Sequence, residues 1–371
     1  MNIGIYDVNL INHKNYIGSI ISELRLQGHS IVAFYDQYND EAFNFLDSLS
    51  VQCIHVKHVS YNYINGLLKN NEIDILVHNA QRLGDSAFVT VAKNLSIKSI
   101  MIQHGMYIPH LKRHKSLFIN NIYKTFRYAQ YSKVVAKAIG ASFPFVFKSF
   151  LKHFVKSVDY TKAIPFFNDV NSSYVFVYGK YWETYHHENF GYDRDVIFDV
   201  GYHELRKVDK IKSRPKILNS VCYVAQTLVE DGRLERCEME RFLKKLSDFA
   251  KKGSLEVYVK LHPRSDLSLY EGLGFSLERE SLPYSAYYLG HYSSLLGLCG
   301  ALSPLYLYEF PEHPIPHYFK ENSYCYDNED ELFEKLLESN DTHNVTGFDI
   351  SNVFSVGLSS QEIAKKILGV L

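Results

Sequence analysis

Short apolar runs separated by stretches of helical period organise this chain. Ile3-Gly4-Ile5-Tyr6 reads as a first strand. Ile17, Ile20, Ile21 and Leu24 then recur at helical spacing and stop at Gly28, a residue suited to ending a helix. Ser30–Tyr35, Ile73–Val77 and Ser99–Gln103 are further apolar strands, with a helical segment from Phe88 to Leu95 between the last two. Tyr174–Gly179 and Val196–Val200 extend the series. Strands that alternate with helices predict a parallel, doubly wound α/β sheet. Glu204 to Pro215 is polar and basic and reads as a crossing between domains. A second series then begins with the strand Ser220–Ala225, a helix from Leu234 to Phe249 and the alternating strand Leu255–Val259. A strand at Tyr287–His291 and a helix from Ser359 to Leu371 follow. The expected layout is a Rossmann-like domain over residues 1–203, a linker over 204–216, and a second Rossmann-like domain over 217–371 that keeps the terminal helix.

Composition narrows this picture. A length of 371 residues suits two domains, and 46% hydrophobic with 22% charged residues suits a globular protein with a large core. The formal net charge of −1 gives no global field toward nucleic acid, which is not expected as a partner. Charge is unevenly placed, however. Between Lys112 and Lys162 stand eleven Lys and Arg against one acid, Asp159, so residues 112–163 read as a basic helical insert. Within it, Phe143, Phe145, Phe147, Phe150 and Phe154 interleave with Lys148, Lys152 and Lys156. That pattern suits a helix lying on an anionic bilayer, and equally an amphipathic helix packed on its own sheet.

The five cysteines show no Cys-x-x-Cys pair, which fits a reducing compartment. The chain enters a strand pattern at once, with no signal peptide and no apolar run long enough to span a membrane. The expected location is cytoplasmic, with peripheral contact to the inner membrane.

Candidate chemistry gathers at strand ends, where open α/β sheets bind ligands. Lys260-Leu261-His262-Pro263-Arg264 delivers two cations and an imidazole to the end of the Leu255 strand, a set suited to a phosphate and a departing oxyanion. Glu230-Asp231-Gly232 follows the Val221 strand, after the lead Ala225-Gln226-Thr227. His291-Tyr292-Ser293-Ser294 follows a later strand and opens a helix, where hydroxyls and free N–H groups can hold a phosphate. In the first half, Gln103-His104-Gly105 brings another imidazole to a strand end. There is no Gly-x-Gly-x-x-Gly after the first strand, so a dinucleotide is not expected there. Asp193 and Asp195 form an Asp-x-Asp that precedes a strand and reads as a solvated turn; His186-His187 lacks partners at metal spacing. No metal is expected.

Acid-acid-Gly, then His-Pro, then Ser-Ser resembles the motif set of the bacterial sialyltransferases of GT-B type. The spacing of the first two looks most like the lipooligosaccharide sialyltransferases, while the capsular polysialyltransferases share the motifs with the acidic one further upstream. The resemblance implies a GT-B fold, two Rossmann-like domains facing a central cleft, with the first on the acceptor side. It implies an inverting, metal-independent transfer of a sialic acid or related ulosonic acid from its CMP-activated donor to a glycan or glycolipid acceptor, with no cofactor. Asp231 would be the general base, its pKa raised by partial desolvation. His262 would lie on the CMP phosphate, and Ser293 and Ser294 would bind its oxygens. Lys260 and Arg264 join the nucleotide site by charge and position, and Gln226, Tyr292 and Pro263 by adjacency. Glu230, Gly232, His104 and Gly105 would line the acceptor side or support the site. The competing readings are a CDP-polyol phosphotransferase of teichoic-acid type with His104 as base, a sugar-nucleotide 2-epimerase, and a non-catalytic scaffold.

Overall fold

The computed structural model describes residues 1–8, 16–36, 40–106, 122–156, 158–311, 313–342 and 350–370. Two compact units emerge, one of Met1–His104, Asn120–His203 and Phe354–Leu371, the other of Gly105–Ile119 and Glu204–Val353. The first holds the strands β1 (Asn2–Asp7), β2 (Ser30–Tyr35), β3 (Gln52–His55), β4 (Ile75–His78), β5 (Lys98–Ile102), β6 (Tyr174–Val177) and β7 (Ile197–Asp199). They pair in parallel in the order β3-β2-β1-β4-β5-β6-β7. The second holds β8 (Ile217–Val224), β9 (Glu256–Lys260), β10 (Ser276–Glu278), β11 (Ser285–Gly290), β12 (Leu305–Tyr308) and β13 (Tyr324–Tyr326). Their order is β10-β9-β8-β11-β12-β13, again parallel. Helices on both faces bury β1, β4 and the carboxyl half of β8, which is why these strands read as apolar runs. In each sheet the order reverses once, between β1 and β4 and between β8 and β11. That reversal is where side chains from two loops can diverge around a ligand.

The terminal helix, Ser360–Gly369, corrects the expected domain layout. Its Ile363, Ala364 and Ile367 are buried in the first unit's core with Ile17, Ile20, Ile21 and Leu24 of the helix Ile17–Leu26. An apolar stripe binds whichever complementary stripe the chain can reach, and sequence order does not decide which. The returning segment is hydrogen-bonded to the first sheet, Ser355 N–H to the Tyr178 carbonyl and Leu358 N–H to that of Val200. Gly201 makes this possible: at φ +69, a Cβ there would lie 2.3 Å from the Val356 oxygen. Residues expected as a bare linker form a 3-10 turn, His203–Lys207, and a short helix, Val208–Lys212.

The described part of the basic insert includes the helices Ile122–Ala138, Phe143–Lys156 and the short Tyr160–Ala163; residues 112–121 lie outside the described residues. Val146 and Phe150 of the second are buried, so the helix packs on its own unit. Phe145 and Leu151 nonetheless stay exposed, 46% and 37%, on the face that carries the exposed Lys148 and Lys152. Among the described residues no helix is long and apolar enough to cross a membrane.

Candidate active site at the ends of the second sheet

The loop after β8 is one tight turn. The Asp231 N–H donates to the Thr227 carbonyl (3.0 Å), the Arg233 N–H to that of Leu228 (2.8 Å), and Gly232 closes the turn at φ +58. Leu228 anchors it in the core, leaving the Asp231 carboxylate at the lip. Thr227 Oγ1 donates to Asp231 Oδ2 (3.0 Å), and Arg264 Nη1 donates to Oδ1 (2.8 Å). Arg233 Nη2 lies 3.9 Å from Oδ2. Partial burial pushes the Asp231 pKa up, but the hydrogen bonds from Arg264 and Thr227 outweigh it, and the carboxyl sits below its ordinary range. The expectation of a raised pKa is thereby corrected: desolvation alone would raise it, but the neighbouring guanidinium more than offsets that.

His262 and Arg264 share the turn after β9. The His262 N–H donates to Ser265 Oγ (3.0 Å), and the Arg264 N–H to His262 Nδ1 (3.1 Å). Nδ1 is therefore an acceptor, and the neutral ring carries its proton on Nε2. Partial burial, reinforced by the Arg264 charge, lowers the His262 pKa, although Asp231 and Glu230 pull the other way. A neutral ring offers a phosphate a hydrogen bond but no charge. Glu230, beside Asp231, accepts from the Asp266 N–H (2.7 Å) and so holds this turn against the β8 loop.

Across the strand-order reversal, the Tyr292 N–H donates to Gln226 Oε1 (2.9 Å), linking the loops after β8 and β11. Ser293 caps the helix Ser294–Leu302, its Oγ accepting from the Leu295 N–H (3.3 Å). Tyr292 is fully buried, and its hydroxyl lies beside the Arg233 side chain and near Asp231. The adjacent His291 donates from Nδ1 to the Tyr308 carbonyl and receives the Tyr223 hydroxyl at Nε2, and burial drives its pKa down to about 4. It is a neutral core residue.

The structure thus brings Gln226, Glu230, Asp231, Gly232, His262, Pro263, Arg264, Tyr292, Ser293 and Ser294 to three neighbouring strand ends of one sheet. Lys260 is engaged elsewhere. Its ammonium donates to the Arg279 carbonyl, because along β9 it alternates with Val259 and shares the face of Tyr258. Gly105 turns at φ +70, directly after the exposed His104, and among the described residues no atom lies within 4 Å of where a Cβ would be. Asp193 and Asp195 are exposed on a 3-10 turn. Among the described residues no three His, Cys, Asp or Glu side chains cluster to hold a metal. Thr227 entered the sequence reading only as part of the lead to the acidic motif, and Arg233 not at all, so neither was given a role at the site.

The first sheet carries a polar cluster at its own reversal that no motif announced. Arg82 donates from Nε to Asp85 (2.8 Å) and from Nη2 to Asn79 Oδ1 (2.7 Å), and lies 3.4 Å from Asp7. Asp7, Asn79 and Asp85 are buried, and the Arg82 pairing, outweighing burial, lowers the Asp85 pKa. His78 donates from Nδ1 to the Ala80 carbonyl and receives the Ser172 hydroxyl at Nε2.

Residues 5–282 match the family described as alpha-2,8-polysialyltransferase, a span that takes in Asp231 and His262 and stops short of Ser293. The chain belongs to the alpha-2,8-polysialyltransferase family. The match falls on the second of the two groups whose motifs the sequence resembles. No curated protein matches. Solved structures of similar fold include the glycotransferase of kitacinnamycin (TM-score 0.55, 11% identity, 100% of this chain and 99% of that one). The spinosyn forosaminyltransferase is alike (0.55, 13%, 100% and 99%), as is the UDP-GlcNAc 2-epimerase from Neisseria meningitidis bound to UDP-GlcNAc (0.55, 12%, 100% and 100%). The fold is GT-B. Family and fold together make this polysialyltransferase family member a glycosyltransferase of sialyltransferase type, acting between a sugar-nucleotide donor and a glycan acceptor.

Proposed function

We propose that the enzyme moves a sialic acid or related nonulosonic acid from its CMP-linked donor to a sugar hydroxyl of a bacterial surface glycan, with inversion and without a metal. The observation that carries this is the meeting of Asp231, His262 and Ser293 at three adjacent strand ends. One phosphate needs few donors: His262 Nε2–H and the backbone N–H and hydroxyl of Ser294, at the start of the helix Ser294–Leu302, are of the right kind. Asp231 takes the proton of the acceptor hydroxyl as the glycosyl bond to CMP breaks, and His262 steadies the departing phosphate through a hydrogen bond. The test is a thermal-shift panel of CMP, CDP, UDP and GDP, paired with transfer assays on Asp231→Asn and His104→Ala using CMP-sialic acid and CDP-glycerol. Selective stabilisation by CMP with loss of transfer only in Asp231→Asn is expected. Activity on CDP-glycerol that depends on His104 would establish the phosphotransferase instead.

For the acceptor side we propose a peripheral bilayer contact through Phe145, Lys148, Leu151 and Lys152, supported by their exposure on one helix face. Co-sedimentation with phosphatidylglycerol vesicles should fall in Phe145→Glu, while phosphatidylcholine vesicles bind neither protein.

A further inference from the structure

Arg264 does more than neutralise Asp231. Its Nη1 donates to Oδ1 at 2.8 Å, and its Nη2 reaches Oδ2 at 3.4 Å and Thr227 Oγ1 at 3.1 Å. With Thr227 Oγ1 donating to Oδ2, both carboxylate oxygens are occupied. The arrangement is unequal. The Asp231 side chain is 25% exposed and fixed to its own turn, whereas that of Arg264 is 58% exposed and free to swing outward. A guanidinium fork fits a phosphate as well as a carboxylate. A sugar hydroxyl that donates to Asp231 must share the carboxylate with those N–H groups, which cover part of it and hold its proton affinity down.

We propose that Arg264 is a positioning residue that changes partners: in the empty site it covers Asp231, and a nucleotide phosphate draws its guanidinium away, baring the carboxylate only once the donor is in place. This rests on the reading of Asp231 as proton acceptor. It makes donor binding a precondition for accepting the second substrate. Asp231 is faced by Thr227, Glu230 and Arg233 on its own loop, by His262 and Arg264 from the turn after β9, and by Tyr292 from the loop after β11. When Arg264 leaves, Arg233 at 3.9 Å is the cation that remains in this set, and burial then acts with less opposition. Donor binding therefore raises the pKa of Asp231, and below neutrality the protein takes up protons as it binds.

The experiment is calorimetric titration of the full chain with the methyl phosphodiester of CMP, which carries a fixed single charge, at about pH 5.5 in acetate and in MES. The difference between buffers reports proton uptake, and the part lost in Asp231→Asn belongs to Asp231 rather than His262. Wild type should show an Asp231-dependent uptake of about 0.3 proton. Arg264→Gln should bind the diester roughly tenfold more weakly and show none of that uptake, since its carboxylate is uncovered from the start. An Asp231-dependent uptake that survives in Arg264→Gln, or none in wild type with binding intact, overturns the exchange of partners. Transfer activity separates this from the underlying assignment. Full transfer by Asp231→Asn removes the base itself, whereas an inactive Asp231→Asn beside a wild type without uptake removes only the role of Arg264. No heat of binding in wild type removes the nucleotide site and both readings.

Discussion

Gln226 and Tyr292 lie 66 residues apart in sequence and are joined by one bond, the Tyr292 N–H donating to Gln226 Oε1 at 2.9 Å. The bond crosses the reversal of strand order and fixes the spacing between the Asp231 turn and the Ser293 helix start. Gln226→Ala should cost about 1 kcal/mol of stability, the net worth of one such bond, and lower CMP affinity several-fold more than that loss alone predicts. Gln226→Glu keeps the acceptor and should retain most of both. Urea unfolding and CMP calorimetry on the two variants check this.

Stability should fall on mild acidification. Burial holds the His291 pKa at about 4 and that of His186 at about 4 as well. An unfolded chain takes up these protons near pH 6.5, and the folded state refuses them until far lower. The stabilisation is complete above about pH 6.5 and disappears as pH drops toward 4, worth roughly 2–4 kcal/mol per imidazole. Unfolding free energies at about pH 7.5 and pH 5 should differ less in His291→Gln than in wild type, by roughly 2 kcal/mol.

Arg82 and Asp85 should respond unequally to substitution. Asp7 and Asp85 are buried and cannot reach water, while Arg82 has about a third of its side chain exposed. Arg82→Met removes the guanidinium from two buried carboxylates and should cost roughly 3 kcal/mol, whereas Asp85→Asn leaves an arginine that can turn outward and should cost less. Thermal denaturation of both variants decides the order.

Lys260→Met separates position in the sequence from direction in space. With its ammonium on the Arg279 carbonyl, its loss should leave CMP affinity within about twofold of wild type, against the roughly tenfold loss expected for Arg264→Gln. Parallel titrations of the two variants provide the comparison.

What the sequence disclosed followed from local rules. β1, β2, β4, β5 and the carboxyl half of β8 are largely apolar runs because helices cover both sides of a parallel sheet, and acid-acid-Gly, His-Pro and Ser-Ser each mark a strand end by turn chemistry. β3, Gln52-Cys53-Ile54-His55, was passed over because an outer strand is only half covered and needs no such run. The Asp7–Asn79–Arg82 cluster joins residues more than 70 positions apart, and nothing local predicts a pairing at that range. The same holds for Arg264, whose partner is chosen by the register of β8 on β9. The state of Asp231 illustrates the limit: its position was legible, but its proton affinity depends on a guanidinium 33 residues away.

The return of the helix Ser360–Gly369 to the first unit changes how this protein can be dissected. On paper, stopping the chain at Val353 looks like trimming the tail of the second domain. In fact it would unroof Ile17, Ile20 and Ile21 at the opposite end of the sequence, leaving a sticky aliphatic strip and a poorly soluble product. Edits made at one terminus will announce themselves at the other.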